Sequence, residues 1–156
     1  MGIVNFVKYV GLKLGTGNRL PSAAALKKNL DSYHLGTEKV RIKVEDNRVF
    51  LKGTIASRDI LEKTVLAVGN IHGIAVVDTT GLKIAQGDGT SEITHQGQLV
   101  YYVVRHDDDL HKIAEKIYGK EYAFKERLIF NANRPMLAAP DKLYPGQLIR
   151  IPVLQE

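Results

Sequence analysis

The spacing of apolar residues changes repeatedly along the chain, and each change marks a new element. Ile3, Phe6, Val7, Val10 and Leu14 recur at helical intervals, which predicts a short amphipathic helix at the start. Pro21-Ser22 then supplies a helix start. Ser22 is placed to accept from a free backbone amide, and Ala23, Leu26, Leu30 and Tyr33 form one apolar face over about twelve residues. From Val40 the period becomes two. Val40, Ile42 and Val44 alternate with Arg41 and Lys43, Asp46-Asn47 makes a turn, and Val49 and Leu51 alternate with Phe50 and Lys52, which predicts a hairpin with one buried face. Ser57 opens a second helix with Ile60, Leu61, Thr64, Val65 and Val68 on its covered side, closing at Gly69 as a C-terminal cap. Ile74 to Val77 gives a third strand, so the order is helix, strand, strand, helix, strand, with helices on one face of a small sheet.

Apolar content then almost vanishes. Residues 85–98, AQGDGTSEITHQGQ, read as a linker. The pattern restarts with a β-rich segment, Leu99 to Val104. Next comes an amphipathic helix led by Asp107-Asp108-Asp109, carrying Leu110, Ile113, Ala114, Ile117 and Tyr118 and ended by Gly119. A further helix from about Ala123 to Ala132 has Leu128 and Ile129 as expected core, Pro145-Gly146 turns the chain, and Leu148 to Ile151 returns as a strand. The expected fold class is therefore α+β in two small domains: residues 1–84, an αββαβ unit preceded by the short helix, and residues 99–156, a βααβ unit.

Composition removes several chemistries. The absence of cysteine excludes disulfides, thiolate catalysis, iron–sulfur clusters and Cys-based zinc sites. No apolar run approaches the roughly 18 residues of a membrane span, and Lys8 and Lys13 inside the first apolar stretch argue against a secretory signal. Residues 1–84 carry 13 Lys and Arg against 7 Asp and Glu, and residues 85–156 carry 9 against 10. With no basic run longer than two residues and no arginine–aromatic cluster along the sequence, the excess reads as a solvated lysine-rich surface rather than a nucleic-acid interface. Anionic membrane attraction through Lys27, Lys28, Arg41 and Lys43 is a minor reading. Catalysis has little support: His106 and His111 are five apart, HExxH is absent, and the serines lack a G-x-S-x-G context. The Asp107–Asp109 run suits a helix N-terminus better than a divalent-cation loop, and His72 reads as an exposed loop histidine.

The C-terminal segment resembles a LysM domain in Tyr102/Val104, Leu110…Ile113-Ala114, Tyr118-Gly119, Ile129…Asn131-Ala132-Asn133 and Tyr144-Pro145-Gly146-Gln147…Ile151-Pro152. Residues 22–84 resemble a BON domain in Val65-Leu66-Ala67-Val68-Gly69-Asn70-Ile71 and Gly73-Ile74-Ala75. The pairing of the two, preceded by Met1, Gly2, Asn5, Phe6, Val7 and Lys8, resembles one family of small cytoplasmic potassium-binding proteins, the Kbp family. That resemblance implies K+ held by backbone oxygens on the BON side, with Val7, Val10, Gly69 and Ile71 as the candidate ligands. It also implies a sensor or buffer that changes its domain arrangement on binding. Such a site suits K+, a large ion whose hydration shell neutral carbonyls replace, and it leaves almost no side-chain signature. A plainer account also stands: Val7, Val10 and Ile71 as core, and Gly69 as a helix end. The expectation is a cytoplasmic monomer with contact between its two domains, without stable membrane insertion or nucleic acid. The LysM resemblance implies an alternative, binding of peptidoglycan or other N-acetylglucosamine glycans. It is disfavoured because the family's Gly-Asp-Thr-Leu loop reads Asp107-Asp108-Asp109-Leu110 here.

Overall fold

The computed structural model describes residues 3–8, 10–14, 21–85 and 100–152. The chain divides into two compact units, Met1–Ile93 and Thr94–Glu156. The expected linker 85–98 lies outside the described residues except for Ala85.

In the first unit, α1 (Ala23–Asp31) starts where Ser22 accepts from the Ala25 amide at 3.0 Å. It buries Leu26 and Leu30. The loop after it is tied down by Thr37, whose hydroxyl donates to Asp31 at 2.7 Å and whose carbonyl accepts from Lys27 Nζ at 2.6 Å. The strands β2 (Val40–Glu45) and β3 (Arg48–Ile55) form the antiparallel hairpin, with Asp46 taking a positive φ at the turn. A second helix, α2 (Arg58–Gly69), begins at Ser57, which accepts from the Ile60 amide at 3.2 Å. It returns the chain to β4 (Val76–Ile84), parallel to β3. The last strand starts later and runs farther than the apolar stretch Ile74 to Val77 predicted. Ile74 is fully buried ahead of it, while Gly81 to Ile84 pair with Lys52 to Ile55 beyond an irregularity in register.

The N-terminal helix is not formed. Ile3–Asn5 is instead a strand, β1, antiparallel to β4, and the sheet order is β1-β4-β3-β2. The helical stripe buries poorly: Ile3 is 52% and Val7 43% exposed. The β-branched Ile3-Val4 pair satisfies its backbone on the open edge of β4, and Gly11 sits at φ +101, which a helix does not allow. Val49, Leu51, Ile55, Val77 and Leu82 face α1 and α2, with Val65 and Val68 among the opposing core residues.

The second unit is a two-stranded antiparallel sheet, β5 (Val100–Val103) with β6 (Leu148–Ile151). Between the strands run α3 (Leu110–Tyr118), a 3-10 segment (Lys120–Lys125) and α4 (Glu126–Ala132). Ile113, Ala114, Ile129, Leu137, Ile149 and Ile151 form its core. Leu128, expected beside Ile129, is 40% exposed because the α-helix begins at Glu126 and turns it outward.

Tyr118 donates its hydroxyl to the carbonyl of Pro152, and burial pushes the phenol up from about 10 to about 12. The folded state thus favours the neutral phenol, so its contribution is intact below the ordinary tyrosine value and is lost as pH rises through the folded one. Tyr118→Phe should therefore flatten the fall of melting temperature between about pH 10 and 12 relative to the parent, at a cost near 1 kcal/mol at neutral pH for the lost hydrogen bond. Identical alkaline profiles would remove Tyr118 from that linkage.

Candidate functional site

A helix end leaves carbonyls without partners, and at α2 the chain arranges for this to persist. The Asn70 amide still bonds back to Leu66 at 3.1 Å. Beyond it the amides go elsewhere: His72 donates to Leu12 at 2.9 Å and Gly73 to Lys8 at 2.7 Å. These two amides are the i+3 and i+4 donors that a tightened or continued helix would offer the Gly69 carbonyl. Both are spent on the N-terminal segment, so the Gly69 oxygen keeps its lone pairs at the negative end of the helix dipole.

That segment is held across the helix end by further backbone bonds, Phe6 N–H to Ala75 at 2.8 Å and Leu12 N–H to Asn70 at 3.2 Å, with Leu12 bridged parallel to Ile71. Two glycines permit the approach. A Cβ on Gly11 would lie 2.4 Å from the Asn70 carbonyl oxygen, and one on Gly69 would lie 2.0 Å from the Phe6 ring. Gly69 thus lets the Phe6 ring rest directly on the helix end. The residue that caps the helix is Asn70, with φ −82° and ψ 43°.

The four candidates fall in these two adjoining segments. Val7 is exposed and Val10 half-buried, so neither is a core residue. Gly69 is buried under Phe6. Ile71 is 1% exposed, its side chain belonging to the core while its carbonyl accepts from the Ile74 amide at 3.0 Å, leaving one lone pair. The arrangement presents neutral oxygens with no carboxylate cage: among the described residues no group of three His, Asp or Glu side chains gathers as a metal site. Phe6 and Asn70, which the sequence shows only as pattern residues, build this framework together with Gly11, a part the sequence alone does not assign them. Gly11, a glycine in the middle of an apparent helix, was the available signal. His72, expected to be exposed, is half-buried here.

The acidic run of the second unit is split three ways. Asp109 caps α3, accepting from the Lys112 amide at 2.7 Å. The Asp108 carboxylate is 7% exposed and accepts from the Tyr102 hydroxyl at 2.6 Å and the Arg105 amide at 2.8 Å, with Lys116 at 3.5 Å. Burial pushes the Asp108 carboxyl up, but these donors outweigh it and hold it below the usual carboxylate range. Asp107 stays exposed with His106 at 3.3 Å, and His111 turns instead to Glu126 at 3.0 Å.

Residues 22–86 match the BON domain family. Over 158 aligned positions the chain is 35% identical to the potassium binding protein Kbp of Escherichia coli O6:H1, covering 97% of this chain and 99% of that protein. The chain belongs to the Kbp family. An uncharacterized protein of Deinococcus radiodurans is 33% identical over 109 residues, 68% of this chain and 41% of its own length. The BON match begins at Ser22, so the N-terminal segment that covers the end of α2 is an addition to the BON unit.

Proposed function

We propose that this protein binds potassium through backbone carbonyls at the junction of the N-terminal segment and the end of α2, with Val7, Val10, Gly69 and Ile71 as the ligands. The observation that carries the reading is the diversion of the His72 and Gly73 amides to Leu12 and Lys8, which leaves the Gly69 carbonyl without its helical donors. The name of the Escherichia coli relative supports the choice of ion. Dipolar oxygens without fixed negative charge suit a large monovalent cation, whereas calcium and magnesium call for carboxylates or retained water.

Under this reading the protein is a cytoplasmic, non-enzymatic monomer that senses or buffers K+. Its second unit, which we read as a LysM domain, changes arrangement with the loaded BON unit. Glycan binding is the weaker reading, since the loop departs from the family pattern at Asp107 and Asp109 and the Asp109 carboxylate is spent on capping α3.

Thermal unfolding in potassium, sodium and choline chloride at equal ionic strength tests the proposal. A ligand bound only by the folded state adds RT ln(1 + [L]/Kd), about 2.7 kcal/mol at a hundredfold excess over Kd. The melting temperature should rise by several degrees in potassium alone, and deletion of residues 2–11 should abolish the rise. Equal melting in all three salts sinks the idea.

A further inference from the structure

The face of the BON sheet that carries no helix gathers cations which the sequence scatters. Residues in register share a face, so the pairing can be read across the sheet. One row runs Ile3, Asp78, Phe50, Lys43; the next on one side runs Asn5, Val76, Arg48, Glu45. On the other side lie Lys52 with Arg41, then Thr54 with Lys83. Their inward neighbours Val49, Leu51 and Ile55 are buried against the helices, whereas Arg41, Lys43, Lys52, Thr54 and Lys83 are exposed. Five cations thus share one surface with two acids.

Both acids are already directed at protein groups. Glu45 pairs with Lys43 at 3.2 Å, and Asp78 accepts from the Thr80 amide and hydroxyl at 2.9 and 2.7 Å. Among the described residues Arg41, Lys52 and Lys83 have no carboxylate partner. Phe50 stands amid this charge on a central strand, with the Arg48 guanidinium 5.9 Å from its ring centre. Beside Arg41 and Thr54 the face opens into a recess of about 470 Å³, walled also by Glu38, Lys39 and Gly53.

We infer that this face binds single-stranded nucleic acid. Cations flanking an aromatic ring on an open sheet provide the two terms such ligands use: attraction to the phosphates and stacking of a base on the ring. An anionic membrane fits less well, because Phe50 lies within the flat middle of the sheet, whereas a membrane anchor must project its apolar group into the lipid. The minor membrane reading loses its cluster as well. Lys27 and Lys28 lie on α1, which packs on the opposite face from Arg41 and Lys43. This inference is independent of the potassium site.

Fluorescence anisotropy of a labelled oligouridylate of about 12 nucleotides tests it on the full chain. Binding should appear in the micromolar range at low salt, and each phosphate engaged should contribute about 0.7 to the slope of log K against log salt. Phe50→Ala should weaken binding about tenfold, as loss of one stacked base does; Phe50→Tyr should retain affinity and Phe50→Leu, which keeps apolar packing but has no ring, should lose it with the melting temperature unchanged, which a mere folding defect would not explain. Lys52→Gln with Lys83→Gln, the two lysines without a carboxylate partner, should lower the salt slope by about 1.4. The inference is overturned by absence of binding at low salt, by equal affinity for a duplex of the same length, by variants that leave affinity and slope unchanged, or by phosphatidylserine vesicles that bind and that the oligonucleotide cannot displace.

Discussion

Asn133→Leu should lower the stability of the second unit by about 3–5 kcal/mol, seen as an earlier urea midpoint and as rapid exchange of the Arg150 amide. The side chain is 2% exposed and serves β6 as a neighbouring strand would. Its Nδ2 donates to the carbonyls of Ile129 at 2.8 Å and Arg150 at 2.9 Å, and its Oδ1 accepts from the Arg150 amide at 2.9 Å. Among the described residues the sheet has two strands and β6 has one edge with no strand partner, which this amide closes. Leucine of similar volume leaves one donor and two acceptors buried, each costing about 1–3 kcal/mol, with partial relief by water. A variant within about 1 kcal/mol of the parent would show that water replaces the amide fully.

Gly11→Ala should abolish the potassium-dependent rise in melting temperature. A Cβ there meets the oxygen and the carbon of the Asn70 carbonyl at 2.4 and 2.8 Å, both backbone atoms that cannot rotate away, and φ +101 is itself unfavourable for alanine. The segment must lift, and the bonds from Leu12 to Asn70, His72 to Leu12 and Gly73 to Lys8 go with it. Once released, the His72 and Gly73 amides can fold back on α2 and occupy the Gly69 oxygen. The expected cost in the absence of potassium is about 2 kcal/mol, from strain and lost hydrogen bonds. A Gly11→Ala protein that keeps the full difference between potassium and choline chloride would exclude the segment from the site.

Legibility followed the range of the interaction. Caps are local, so Ser22 and Ser57 were placed from sequence, and the alternation of the β2–β3 hairpin gave its buried face. The start of the chain was misread because Ile3, Phe6, Val7 and Val10 satisfy a helical period by coincidence, while the deciding partner, the edge of β4, lies more than seventy residues away. A shorter but still non-local pairing hid the extent of β4, whose polar stretch Asp78-Thr79-Thr80-Gly81 becomes a strand beside β3. At the candidate site, the residues named from the resemblance fall into segments that do adjoin. The reason they adjoin, an aromatic ring on Gly69 and a backbone crossing at Gly11, needs coordinates, because a carbonyl carries no residue identity. Asn133 was noticed as part of a motif, but a side chain that substitutes for a strand is invisible until the strand's empty edge is seen.

The place of β1 at the end of the sheet order has a consequence for how tightly an ion is held. An edge strand of three residues can peel away without opening the core behind it. On the proposed reading, Val7 and Val10 follow that strand on a segment also held through Phe6, Lys8 and Leu12, so undocking that spreads through those bonds scales the apparent affinity by the docked fraction. Substitutions at Ile3, which supplies no ligand, would then reset the working concentration range of the protein while leaving its choice of ion unchanged.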